Sequence, residues 1–225
     1  MFDLAVKNAH VVTESGVLDA GVYVKGGVVA ALSTEVLPAQ ESVDAQGRIL
    51  FPGAVDPHVH FNDPGLTEGE DFYTGSCAAV AGGITTVNVM PGSGHLISGQ
   101  TLYLKLRDGR VIDDLLVRLP DGSIAGGLKM ANGTNSIRSP GGPFPGSRAK
   151  SAALVREQFV KAQEYQARRE RAGNDAEKLP ARDLALEMLV EVLEGRRIVQ
   201  HHTHRHDDIL TVLRLRREFG FKVVL

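Results

Sequence analysis

The chain has 225 residues, 43% hydrophobic and 23% charged, with Lys+Arg 25 against Asp+Glu 27 and a formal net charge of -2. That length can bury the core of one large domain, or of one domain with a small companion, and the near-neutral balance offers no electrostatic footprint for nucleic acid or an anionic membrane. A single cysteine, Cys77, excludes an intrachain disulfide, and the sequence shows neither a signal-peptide pattern nor an apolar run of transmembrane length, so the expected compartment is the cytoplasm.

Residues 1–50 read as short strands. "DLAVKNAHVVT" and "GVYVKGGVVAAL" are rich in valine, "KGG" turns the second on itself, and "VDAQGRILFPG" reads as a further strand pair around a Gly turn. This is a small β-layer that must pack on something else. In "FPGAVDPHVHFNDPG", Asp56, His58 and His60 alternate, so on a strand they lean to one face. "EDFYTGSCAAVAGG" follows as a helix with Phe72, Cys77, Ala78, Val80 and Ala81 on its apolar face, ended by Gly82-Gly83. The β-branched run "ITTVNVMPG" suits a buried parallel strand and completes a βαβ unit.

Residues 99–123 carry two turn signals, "RDGR" and "PDGS", and read as a β-hairpin excursion rather than a barrel strand and helix. "GGLKMANG" is a short strand and "TNSIRSPGGPFPGSR" a Gly/Pro-rich loop. Two helices follow, "SAALVREQFVKAQEYQARRERAGN" and "LPARDLALEMLVEVLEG", the second stopped by Gly195. "RIVQHHTH" is a strand, "RHDDILTVLRLRREFG" a helix and "FKVVL" a strand. The pattern is α/β, with at least four βα steps of barrel type.

Eight histidines at this length give roughly 0.3 His-x-His pairs by chance. The sequence holds three: "HVH", "HTH" and "HRH". The first two fall at predicted strand ends, where parallel α/β folds place their chemistry. Imidazole with carboxylate suits zinc, manganese or iron; the plain alternative is a polar rim.

The stretch "FPGAVDPHVHFNDPGLTEGEDFYTGSCAAVAGGITTVNVMP" resembles the opening of the amidohydrolase superfamily in its cyclic-amidase branch of allantoinases, hydantoinases and dihydroorotases. The matching features are Pro-Gly before the strand, Asp-x-His-x-His at its end, Asp-Pro-Gly, Glu-Asp-Phe and a helix closing on Ala-Gly-Gly-Ile-Thr-Thr, and the resemblance covers residues 1–91. After Met90-Pro91, "PGSGHLISGQ", "GLKMANGTN" and "RIVQHHTHRHDDILTVLRLRREFGFKVVL" look more like imidazolonepropionase-like and dipeptidase-like members, and residues 99–123 match the cyclic amidases poorly. The resemblance implies a partial (β/α)8 barrel of about five to six strands over 51–225. It implies a small, incomplete β-sandwich domain over 1–50.

By the same resemblance, His58 and His60 hold the more buried of one or two divalent ions, most often zinc, and Asp56 supports them from behind. Lys129 stands where many binuclear members carry a carboxylated lysine that bridges the ions, and His202 serves the second ion. A desolvated lysine beside cations can be neutral and can react with carbon dioxide; the plain alternative is a lysine snorkelling from a strand end. His204 is expected as a substrate contact or alternative ligand, with His95 and Asn132 as further substrate-binding candidates. His201 is expected in packing or behind the ligands, His206 beside a helix N-terminus, and His10 and Cys77 in structural packing. Arg148 either reaches a substrate or opens a solvated helix.

In the family a histidine ends the sixth barrel strand, and an aspartate ending the eighth is the general base; neither has a counterpart up to Leu225. The chain is therefore expected to be the N-terminal portion of a larger enzyme, binding metal weakly and turning over little by itself. The expected parent activity is metal-dependent hydrolysis of C–N bonds in a cyclic or related amide by a metal-activated hydroxide. An open barrel edge is compatible with homo-oligomerisation. The alternatives are an imidazolonepropionase-like or dipeptidase-like hydrolase, a non-catalytic assembly protein of the same fold, or a truncated product.

Overall fold

The computed structural model describes residues 1–63, 65–91, 96–109, 111–137 and 145–225. They fall into two compact units, Met1–Ala54 and Val55–Leu225.

The first unit is one sheet of β1 (Phe2–Thr13), β2 (Gly16–Lys25), β3 (Val28–Ser33), β4 (Ala39–Asp44) and β5 (Ile49–Leu50). Its order is β3-β2-β1-β4, with β5 also paired to β1. Gly26 and Gly27, at φ +60° and +77°, make the two-residue turn between β2 and β3 that only a left-handed backbone allows. The segment read as a strand pair around a Gly turn is different in fact: β4 and β5 do not pair with each other, and each lies parallel on β1. The cause is a bulge in β1. Asn8 takes φ +54° where the β1–β2 register shifts, and Gly47 N–H donates to the Asn8 carbonyl, stepping the chain along β1. Ala9, Val11 and Val22 form the small core, and the buried Tyr23 donates its hydroxyl to the Glu35 carbonyl while accepting from Leu37 N–H.

The second unit runs β6 (Ala54–Val59), α1 (Phe72–Ala81), β7 (Ile84–Val89), β8 (Ile97–Lys105), α2 (Ile112–Leu115), β9 (Gly126–Ala131), α3 (Thr134–Ile137), α4 (Arg148–Ala172), α5 (Leu184–Leu193), β10 (Ile198–His202), α6 (His206–Phe219) and β11 (Val223–Val224). The six strands lie in sequential order, as in a barrel, and β9, β10 and β11 are mutually parallel. The α/β class and the partial barrel hold. The strand count does too.

One strand departs from barrel pattern. β8 is a full member of the sheet yet runs antiparallel to both β7 and β9. The hairpin reading of 99–123 therefore fits only its later part, where the bridges Leu104–Leu116 and Arg118–Ile124 and the Gly122 turn continue the antiparallel course. The connection from Val89 to Ile97 is shorter than the dozen or so residues a parallel crossover needs, so the next strand runs back.

The main core fills the space between this sheet and α4, α5 and α6. Leu128, Met130 and Val199 meet Val155, Phe159, Leu189, Val192, Leu215 and Phe219 there, and Phe159 stacks on Phe219 and Phe221 at 5.0 Å. Helix ends carry their expected caps: Ser147 accepts from Lys150 N–H, Asp183 from Ala185 and Leu186 N–H, and Gly220 closes α6 in the left-handed conformation. The apolar face read on α1 is not buried. Cys77 and Val80 are exposed, and the helix instead seats Gly75, where a Cβ would stand 2.7 Å from the Phe61 ring. Among the described residues, no helix is long and apolar enough to cross a membrane.

β9 is squeezed between its neighbours. A Cβ at Gly127 would lie 2.5 Å from the Ile198 carbonyl of β10. Gly127→Ala is expected to lower the free energy of unfolding by about 2 kcal/mol or more, read as a fall in the urea midpoint; an unchanged midpoint would contradict this packing.

Candidate functional site

Pairing fixes which ends of the strands meet. β6 and β7 advance together, Asn88 Nδ2 donating to the Pro57 carbonyl and Met90 N–H to the Val59 carbonyl, as parallel neighbours do. Two reversals through β8 then return β9 to the direction of β7. The C-terminal ends of β6, β7, β9 and β10 thus share one rim, and the chemistry-bearing side chains stand on it.

On β6, Asp56 turns its carboxylate back to accept the His58 N–H at 2.9 Å, which holds the backbone where the imidazole leaves it. His60 follows the strand, and its Nε2 lies 3.2 Å from His58 Nε2, the rings crossing at 62°. On β9, Lys129 is 1% exposed, and its Nζ reaches within 3.3 Å of the same His58 nitrogen. His202 ends β10 and His204 follows, with Nε2 atoms 3.4 Å apart and rings at 82°.

The electrostatics favour uncharged bases. Burial pushes the Lys129 ammonium down from its ordinary range. Burial, followed by the positive charge of Lys129, holds both His58 and His60 below the usual imidazole value. His202 is lowered by burial, then by His204, Lys129 and His60, so the two histidine pairs sense one another as well as the lysine. Neutral imidazoles this close can share one proton or one cation. Among the described residues, no three or more His, Cys, Asp or Glu side chains are arranged to hold an ion. The donors come as two nitrogen pairs and an amine.

Behind the rim lies a polar cluster. His201 is 5% exposed and donates Nδ1–H to the His202 carbonyl; burial takes its pKa to about 4. Asn132 N–H donates to the His202 carbonyl, and its side-chain amide donates to the Asp208 carbonyl, so that amide is turned toward α6. Arg148 opens α4 and grips the buried Asp208 carboxylate through Nε at 3.1 and 3.0 Å, so it is neither free for substrate nor merely solvated. Gly133, at φ +67°, leaves room for that carboxylate, since a Cβ would come within 2.9 Å of it.

Of the remaining candidates, His206 begins α6, and His10 is exposed on the first unit against Asp19. His95 lies outside the described residues. Asp208 was not singled out by its sequence, because nothing local marks an aspartate in a helix's first turn as the partner of an arginine so distant in the chain. Asn88 was missed although a signal existed: it is the one amide in the run "ITTVNVMP", and it is wholly buried.

No family model matches the chain. A segment of it is 43% identical over 90 residues to allantoinase of Escherichia coli SMS-3-5, covering 40% of this chain and 20% of that protein. Allantoinase of the K12 strain DH10B is 42% identical with the same coverage. The chain's 90-residue match thus spans about a fifth of these curated relatives. An amidohydrolase structure from Thermotoga maritima superposes with a TM-score of 0.84 at 30% identity, over 98% of this chain and 63% of that one.

Two outcomes follow from the cluster behind the rim. His201 titrates at about 4 when folded and near 6.5 when unfolded, so the unfolded chain binds the extra proton between those values. Stability should therefore rise from pH 4 to pH 6.5, by up to about 3 kcal/mol from this group, and His201→Gln should flatten that part of a urea-midpoint profile. Arg148→Met strands the Asp208 carboxylate and should cost about 2 kcal/mol, less than the ~3–5 of a wholly buried pair because the arginine is partly exposed; calorimetry checks it.

Proposed function

We propose, because the chain belongs to the amidohydrolase superfamily, that the His58–His60–Lys129 cluster is a divalent-metal centre for hydrolysing the C–N bond of a cyclic amide. The observation that carries this reading is the spacing of the first pair. Two imidazole nitrogens on one tetrahedral zinc stand ~3.3 Å apart, from Zn–N distances of ~2.0–2.1 Å, and His58 and His60 present theirs at 3.2 Å. Their depressed pKa values keep them in the neutral form that a metal requires. An ion held there would supply Lewis acidity to the amide carbonyl and acidify a water near neutral pH.

The chain's own residues do the positioning. Asp56 fixes the backbone of His58. Lys129, buried and disposed to be neutral, can add its Nζ lone pair to the carbon of carbon dioxide, the displaced C=O electrons passing to oxygen and one proton leaving, which gives a carbamate whose single negative charge is shared by two oxygens. His202 faces the same rim from β10 and is the nearest donor for a second ion, and zinc is the ion this nitrogen-rich set suits best. The allantoinase-like segment supports a cyclic amide as substrate. A second reading, a dipeptidase-like or imidazolonepropionase-like hydrolase on the same centre, rests on the resemblance carried by "GLKMANGTN" and "RIVQHHTHRHDD"; the match to the Thermotoga maritima amidohydrolase, over nearly the whole chain, supports both readings alike.

The first test is metal retention after desalting, read by plasma mass spectrometry. Retention should drop at least ~100-fold in affinity for His58→Ala and His60→Ala, given that even outer-shell partners are worth ~10–100-fold; an ion kept equally by both variants overturns the reading. Labelled bicarbonate should give a carbamate carbon resonance that Lys129→Gln lacks. A panel of hydantoins, dihydropyrimidines and dipeptides, read as metal-dependent binding because little turnover is expected of this portion alone, separates the two substrate readings.

A further inference from the structure

We infer that Asn88 is a positioning residue for His58: it locks the peptide unit from which that imidazole is presented. The consequence for a bound ion rests on the metal reading above, whereas the lock itself is made of hydrogen bonds alone.

Strand register decides where Asn88 points. It lies opposite Tyr103 of β8, and Thr101, two residues back on that strand, lies opposite Gly127 of β9. Opposed residues of antiparallel strands share a face, and so do residues two apart along one strand. Asn88 therefore leaves β7 on the face that carries Gly127 and, two residues on, Lys129. The His58 ring is on that face too, its Nε2 standing 3.3 Å from Lys129 Nζ. Val87, opposite Leu104, points the other way.

Two observations give Asn88 its role. Its Nδ2 donates to the Pro57 carbonyl at 3.2 Å, while Asp56 accepts the His58 N–H at 2.9 Å. That carbonyl and that N–H are the two polar ends of one planar peptide unit. Side chains from two strands thus grip the unit at both ends. A turn of the plane would change ψ of Pro57 and φ of His58 and so redirect the imidazole. The second observation is that Asn88 is wholly buried and its Oδ1 has no hydrogen-bond partner among the described residues. A buried amide with an orphaned acceptor fills space less favourably than an apolar side chain of similar volume. The use of this amide lies in the one bond it makes.

Plain packing is the competing explanation, and an apolar replacement separates the two. Asn88→Leu keeps the volume and removes the grip. Its urea midpoint should be unchanged or raised, because the orphaned acceptor leaves with the amide and Pro57 is exposed enough for its carbonyl to meet water. Asn88→Val, suited to a strand, should behave alike and guards against overpacking. In the metal-free chain the His58 amide should exchange with deuterium at least ~10-fold faster in both variants, read by NMR. Cobalt(II) in equilibrium dialysis should bind ~10–100-fold more weakly, the range typical of groups that orient a ligand, with a shifted ligand-field band. Val87→Ala is the control: a cavity on the opposite face of the same strand should lower the midpoint and leave the cobalt affinity alone. If the Asn88 variants keep the exchange rate and the cobalt affinity of the unaltered chain, or Val87→Ala loses as much affinity as they do, the inference falls, while loss of metal in His58→Ala still upholds the centre. If the unaltered chain binds no cobalt yet the His58 amide loosens in the Asn88 variants, the metal reading falls and the lock stands.

Discussion

The constraint on which the rest depends is a buried amine. Lys129 lies on a strand paired on both sides, almost wholly removed from solvent, with an imidazole nitrogen as its near neighbour and, among the described residues, no carboxylate in salt-bridge contact. Burial disfavours the charged form of such an amine, and desolvation of an unpaired ammonium is among the largest penalties a fold can carry. Either the amine gives up its proton or something anionic joins it. Both outcomes leave a site able to host positive charge from outside, and burial, ahead of any charge on the lysine, holds the histidines around it below the usual imidazole value.

That placement is produced by backbone packing rather than by the site residues themselves. Gly126 and Gly127 let β9 approach its neighbours more closely than any side chain would permit, and Thr101 on β8 both donates to Gln200 of β10 and accepts from Gly127 N–H. Behind the rim, Asn132, Asp208 and Arg148 tie the ends of β9 and β10 to the starts of α6 and α4. The ends of the strands that carry the lysine and the second histidine pair are thus held by hydrogen bonds and an ion pair behind the rim.

Much of this was legible in the residues, for physical reasons. Period-two valines, glycine turns and long amphipathic helices report local geometry, so the elements and their order could be read directly. The alternation of Asp56, His58 and His60 likewise reports a shared face of one strand. Strand direction was not legible: nothing in "ISGQTLYLK" distinguishes a parallel from an antiparallel neighbour, because both bury the same alternating side chains. The exposed face of α1 was misread because Gly75, having no side chain, carries no hydrophobic signal, although it makes the contact. The Arg148–Asp208 pair was hidden by distance along the chain.

The reversed strand has a consequence of its own for how the groove is assembled. β7, β8 and β9 form a meander whose pairings join stretches close in sequence, whereas β9 meets β10 only after the chain has run from Ala131 to Ile198. Closing a short loop costs less chain entropy than closing a long one. The amine-bearing strand is accordingly anchored by its local partners, and the second histidine pair is the part that must be recruited from afar. The strand with the amine can thus find its β8 partner before the chain has returned with β10.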